Sequence, residues 1–186
     1  MKNVKLFIMV VLTSTLLACN SAANKVEENE KLESTQTVGQ SGVQDDASQK
    51  NVVQVAISSK DHTTLVTAIK AGELVDALSN AGPFTVFAPT NGAFDNLPSG
   101  TVEGLLKPAS KETLVDILQY HVSLGVFKTE ALKDGQSIGQ VNGDNIKITK
   151  KDGMYYVNGT AKIVASIPAS NGIIHVINGV LLPPKK

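Results

Sequence analysis

The chain has 186 residues, with 17 lysines and no arginine against 17 acids, a single cysteine and no tryptophan. A neutral chain without arginine lacks both the electrostatic footprint of a nucleic-acid binder and the planar fork that reads phosphates and base edges. One cysteine excludes an intramolecular disulfide. Lys2 and Lys5 then open the chain, followed by an apolar run from Leu6 to Leu17 that ends in Leu16-Leu17-Ala18-Cys19. A basic start, a short apolar core and a small residue before cysteine are the order of a bacterial lipoprotein signal, too short for a final membrane span. Cleavage before Cys19 would lipidate its thiol and new amino terminus, so residues 1–18 are predicted to be a signal peptide. Removal of Lys2 and Lys5 leaves 15 lysines against the same 17 acids.

From Asn20 to Lys50, Glu, Asn, Gln, Ser and Gly dominate, and three lysines face six acids. Such a composition buries too little apolar surface to offset the entropy of ordering, so residues 19–50 are expected to form a lipidated tether. As a flexible coil it would hold a domain about 30 Å from its anchor. A short amphipathic helix around Val26 to Leu32 is compatible with the pattern.

The folded domain is expected over residues 51–186, enough for one core. Val52, Val53, Val55, Ala56 and Ile57 open it as a short helix or strand. Ser59 or Asp61 can cap the next helix, in which Leu65, Ala68 and Ile69 share one face until Gly72. Leu74, Val75 and Leu78 mark a second short helix. Phe84, Val86 and Ala88 alternate with Thr85 and Phe87, so this strand is largely apolar on both faces and predicted to be buried on both. Pro89, with no N–H for a sheet, ends it, and Thr90 or Asn91 can cap a turn carrying Phe94. Val102, Leu105 and Leu106 form a helix stopped at Pro108. Ser110 is placed to cap the longest helix, with Glu112 in its first turn. Leu114, Ile117, Leu118 and His121 follow at helical spacing, which turns His121 toward the core.

The last third changes period. Ile146 and Ile148 alternate with polar residues, Asp152-Gly153 and Asn158-Gly159 signal turns, and Ala161 to Ile167 reads as a strand. Gly172 to Leu182 reads as one long buried strand with a bulge at Asn178-Gly179. Helices first, then mostly antiparallel strands, is an α+β pattern.

FTVFAPTNGAF at Phe84 to Phe94, ILQYHV at Ile117 to Val122 and NGIIHVINGVLLP at Asn171 to Pro183 resemble the signature blocks of the fasciclin domain. The segment TLVTAIKAGELVDALSNAG before the first block resembles the family's usual entry. The likeness spans Asn51 to Pro184. Asn178 departs from it, standing where the family often has Asp, and no second glycine accompanies Gly72. The resemblance implies a β-wedge of about seven strands with several short helices, and an activity in cell adhesion or matrix association without catalysis. In that frame Phe84, Phe87, Pro89, Thr90, Asn91, Phe94, Asn171 and His175 are structural motif residues. Tyr120 and His121 match the family's Tyr-His pair, a region tied to adhesion in animal members, and are the candidate binding residues. Packing of Tyr120, with a core hydrogen bond from His121 to a partner such as Asn91, is the other reading of the pair.

Other constellations are weaker. His62, His121 and His175 have no ligand spacing for zinc, so neither metal nor cofactor is expected. Gly135-Gln136-Ser137-Ile138-Gly139 formally matches a nucleophile elbow, but turn-rich strand follows it where a helix is required. Asn158-Gly159-Thr160 matches a glycosylation sequon and reads as a turn. Lys147, Lys150, Lys151 and Lys162 are expected on the outer side of the hairpins, where they protect edges and could make a weak polyanion contact. The chain is expected in the cell envelope, anchored to membrane by its lipid, contacting a protein or glycan partner at the surface. A small-ligand or lipid-binding envelope module is the alternative.

Overall fold

The structure is a computed structural model and describes residues 49–184. The expected signal, Cys19 and nearly all of the expected tether lie outside the described residues.

Helix α1 (Val52–Ser58) resolves the ambiguity of the first apolar run. Asn51 accepts from the Gln54 amide while the Gln54 side chain accepts from the Asn51 amide, a reciprocal cap that selects helix over strand. Ser59 caps a 3-10 turn over Lys60–His62, and α2 (Thr63–Ala71) buries Leu65, Ala68 and Ile69 as expected. Helix α3 (Val75–Ser79) leads into β1 (Phe84–Pro89), which ends at the proline. Helices α4 (Asn91–Asp95), α5 (Thr101–Leu105) and α6 (Lys111–Tyr120) follow. Neither Thr90 nor Ser110 makes the expected side-chain cap. At α6 the reason is that the chain enters from a 3-10 turn, with Ser110 at φ −107 and ψ 9 rather than in the extended conformation of a capping residue.

Strands β2 (Val122–Leu124), β3 (Ser137–Gly139), β4 (Asn145–Lys151), β5 (Met154–Val157), β6 (Ala161–Ala169) and β7 (Gly172–Ile177) complete one sheet, in the order β2-β1-β7-β6-β5-β4-β3. Only β1 and β7 run parallel. The Val141 amide donates to the Val122 carbonyl at 2.8 Å, which draws the two edges together into a nearly closed barrel. Asp152-Gly153 and Asn158-Gly159 turn the hairpins with positive φ at both residues, as their sequence predicts.

Strand parity sorts the side chains into two cores. Phe87, Ile138, Ile146, Ile148, Val157, Ala161, Ile163 and Ile177 fill the barrel. Val86, Ala88, Val122, Ile174 and Val176 face out from the same sheet and are covered by Val52, Leu65, Ile69, Leu78, Leu114 and Leu118 from the helices. Thus β1 and β7 are buried on both faces, as the apolar run predicts. A register shift between Ile163 and Ala165 turns β6 over. Ile163 therefore faces the barrel while Ile167, at the same parity, packs toward the helices.

The expected long strand to Leu182 is corrected: β7 stops at Ile177, and the bulge lies in β6 rather than at Asn178-Gly179. The Asn178 side chain accepts from the Lys162 amide and its own amide donates to the Lys162 carbonyl, which ends the pairing. Beyond it, the Leu181 amide donates to an imidazole instead of a strand.

Candidate functional site

Helix α6 delivers Tyr120 and His121 to the point where its C-terminus meets the barrel. Both are inside the fold, at 2% and 3% exposure. The Tyr120 hydroxyl donates to the Asn145 carbonyl at 3.2 Å and accepts from Asn158 Nδ2 at 2.9 Å. His121 Nδ1 lies 2.8 Å from the Ile117 carbonyl, and Nε2 lies 3.0 Å from the Leu181 amide. A carbonyl only accepts and an amide N–H only donates, so the proton sits on Nδ1 and Nε2 is the acceptor. Burial pushes the His121 pKa down to about 4, against a smaller opposing effect of the Ile117 carbonyl. The imidazole is thus a neutral rivet between α6 and the C-terminal segment.

The expected His121–Asn91 contact is corrected. Asn91 Oδ1 accepts from the Thr64 amide and the Thr63 hydroxyl, and Nδ2 donates to the Lys60 carbonyl. Asn91 therefore ties α4 to the start of α2, while His121 takes its partners from its own helix and the tail.

Asn171 is a second clamp. Its Oδ1 accepts from the Val52 amide at 2.9 Å, and its Nδ2 donates to the carbonyls of Leu78 and Asn80, both at 2.8 Å. Its own carbonyl accepts from Phe84 N at 3.0 Å. One asparagine thus joins the start of α1, the end of α3 and the start of β1. A side chain on the next residue, Gly172, would collide with the Phe84 carbonyl, so the Asn-Gly pair is required by close backbone approach.

His175 is fully buried on β7, its ring 5.5 Å from that of Phe87. Its Nε2 lies 2.7 Å from the Phe127 carbonyl and must carry the proton. Nδ1 then accepts from the Ser166 hydroxyl at 2.7 Å, which leaves Ser166 to accept from Thr129 at 2.6 Å. Burial lowers the His175 pKa, opposed by the Phe127 carbonyl and by Glu130. Phe84 and Phe94 are partly buried against the helical core, and Pro89 is fully buried.

The structure does not bring these residues to one surface. Ser137 is exposed on β3 and strand follows it, while His121 and His175 have both nitrogens bonded elsewhere and His62 pairs with Ser59. Among the described residues no three His, Cys, Asp or Glu side chains converge as metal ligands. The Asn158 side chain is spent on the Lys147 amide and the Tyr120 hydroxyl. An apolar crevice beside His121, lined by residues such as Leu65, Phe94, Leu106 and Leu114, has a cavity volume of about 30 Å³. The Leu181 amide that meets His121 and the Phe127 carbonyl that meets His175 escape sequence reading because they come from 60 and 48 residues away and are backbone groups, which no side-chain pattern encodes.

The sequence profile of the Fasciclin domain matches residues 60–183. The chain belongs to the fasciclin-domain family. This fasciclin domain is 49% identical over 133 residues to protein sll1483 of Synechocystis, covering 72% of this chain and 73% of that protein. It is 35% identical to transforming growth factor-beta-induced protein ig-h3 of Sus scrofa, covering 72% of this chain and 19% of that much longer relative. A solved FAS1 domain pair from the insect cell adhesion molecule Fasciclin I superposes with a TM-score of 0.57 at 18% identity, over 72% of this chain and 51% of the other. That likeness is one of fold, and the seven-stranded wedge with short helices is the fasciclin fold.

Proposed function

We propose that this fasciclin domain is a non-enzymatic adhesion or surface-binding module, displayed outside the cytoplasm on a lipid at Cys19. Membership in a family that includes a cell adhesion molecule supports the reading. The observation that carries it is how the signature residues are used. Tyr120, His121, Asn91, Asn171 and His175 spend their polar groups inside the fold, so they hold a scaffold and leave recognition to its outer surface. Tyr120 and His121 act by fixing α6 rather than by touching a partner. The apolar crevice beside His121, with a cavity of about 30 Å³, is far below the roughly 300–1,000 Å³ of ligand pockets and does not support the small-ligand alternative; the wider hollows, about 330 Å³ beside Thr64 and Glu103 and about 670 Å³ beside Lys111 and Asp116, are open surface depressions.

The test uses the mature chain carrying Cys19→Ala, a water-soluble version. It should attach saturably to isolated envelope or to extracellular matrix, and absence of attachment to either would refute the reading. The same substitution in the full chain should abolish lipid labelling and shift the protein to the soluble fraction. Unchanged partitioning into detergent would sink the anchor.

A further inference from the structure

Parity leaves half of the sheet's outer face bare. The helices cover that face over β1, β7 and the second half of β6, where Val86, Ala88, Ile167, Ile174 and Val176 enter the helical core. Over β4, β5 and the start of β6, the barrel takes Ile146, Ile148, Val157, Ala161 and Ile163. The alternate residues therefore point away from it: Lys147, Thr149 and Lys151 on β4, Met154 and Tyr156 on β5, and Lys162 on β6. Cross-strand register places Tyr156 between Thr149 and Lys162. Strand geometry then sets the Cα atoms of Lys147 and Lys151 roughly 14 Å apart, each roughly 12 Å from that of Lys162, with Tyr156 inside the triangle.

These outward strand positions carry three lysines and no acid; the nearest acid in sequence is Asp152, in the β4–β5 turn. The ion pair of Lys111 with Glu73 is on the helical side. Lys150 is directed elsewhere, over the Tyr155 ring at 5.2 Å. The face thus presents unpaired cations around an aromatic, with Met154 46% exposed beside it.

We propose that this face binds an acidic polysaccharide, with Lys147, Lys151 and Lys162 meeting carboxylate or sulfate groups and Tyr156 lying against a sugar ring. This rests on the surface-binding reading above and names its partner class. Three lysines without an arginine are a sparse footprint for the dense phosphates of a nucleic acid, at about 3.4 Å per charge along a strand. They are also fewer than the roughly 4–8 basic residues that mark docking to an anionic bilayer. Sparse cations around an exposed aromatic suit a polymer that alternates charged groups with apolar sugar faces.

The mature chain with Cys19→Ala would be tested on immobilised polygalacturonate and dextran sulfate, with neutral dextran and phosphatidylglycerol vesicles in parallel. Binding to the two acidic polymers is expected, with release on the order of 0.5 M salt as screening shortens the electrostatic range. The triple variant Lys147→Gln, Lys151→Gln, Lys162→Gln should bind about tenfold more weakly. Lys60→Gln, Lys70→Gln, Lys107→Gln on the helical side should bind like the parent. Tyr156→Ser should weaken binding to both acidic polysaccharides. Circular dichroism checks that each variant is folded. Equal binding by the β-face triple variant, equal retention on neutral dextran, or binding to vesicles alone would overturn the proposal. Envelope attachment that ignores the three lysines would defeat this inference and leave the surface-binding reading standing. Failure to attach to any surface would defeat that reading itself.

Discussion

Substituting His121→Ala removes the imidazole that joins α6 to the C-terminal segment. The Leu181 amide, inside the fold, loses its acceptor, and a stranded buried donor costs about 1–3 kcal/mol. The vacated ring volume adds a cavity cost, so about 3 kcal/mol is expected at pH 7. The pH dependence separates this rivet from mere packing. The pKa is lowered from 6.5 to about 4 by burial, so the unfolded chain binds a proton over an interval in which the native state does not. The stability this supplies is complete above pH 6.5 and is lost as pH falls through about 4, a change of about 3 kcal/mol. Structurally, a protonated Nε2 would point a second N–H at the Leu181 amide. His62 and His175 also titrate low, but they do so in parent and variant alike. Urea unfolding at stepped pH is the assay. At pH 7 the midpoints should differ by roughly 1–3 M for slopes of about 1–3 kcal/mol/M, and the curves should converge near pH 4. A parent-to-variant difference that stays constant from pH 7 to pH 4 would refute the neutral, amide-accepting imidazole.

Other substitutions probe the remaining clamps. Asn171→Ala strands the Val52 amide and the Leu78 and Asn80 carbonyls and should cost about 3 kcal/mol or more; hydrogen exchange should show α1 and the end of α3 loosening first. A change under about 1 kcal/mol would mean that water replaces all three bonds. Gly172→Ala forces β7 away from the Phe84 carbonyl, and loss of cooperative unfolding or a penalty above about 3 kcal/mol is expected. Tyr120→Phe removes only the hydroxyl between Asn145 and Asn158, so thermal unfolding should report about 1–2 kcal/mol with the fold and surface attachment intact. A larger loss of attachment than of stability would instead give that hydroxyl a direct binding role.

Much of the fold is legible locally. The buried first strand and its end at Pro89, the face of α2, the Asp152-Gly153 and Asn158-Gly159 turns and the inward isoleucines of β4 each follow from the chemistry of neighbouring residues. The first helix could also have been read from Asn51 and Gln54, because the reciprocal cap is a spacing signal. Apart from the caps expected of Thr90 and Ser110, the latter lost to the 3-10 turn that precedes it, the expectations that failed did so because a partner from another part of the chain intervened. The last strand keeps an apolar pattern past Ile177, but Asn178 ties itself to Lys162 and the tail leaves the sheet for His121. Asn91 and His121 are both polar groups in signature blocks, yet neither is the other's partner.

The sequence by itself determines the family, through its signature blocks, and also the two-faced burial of Phe84 to Pro89 and the turn of His121 toward the core, because periodicity and backbone chemistry are local properties. Only the tertiary structure decides that β1 lies parallel to β7, that a bulge turns β6 over, and that the helices cover one half of the outer face while Lys147, Lys151 and Lys162 remain open on the other. Parity shows which side chains share a face; which face meets water depends on where distant helices find room to pack.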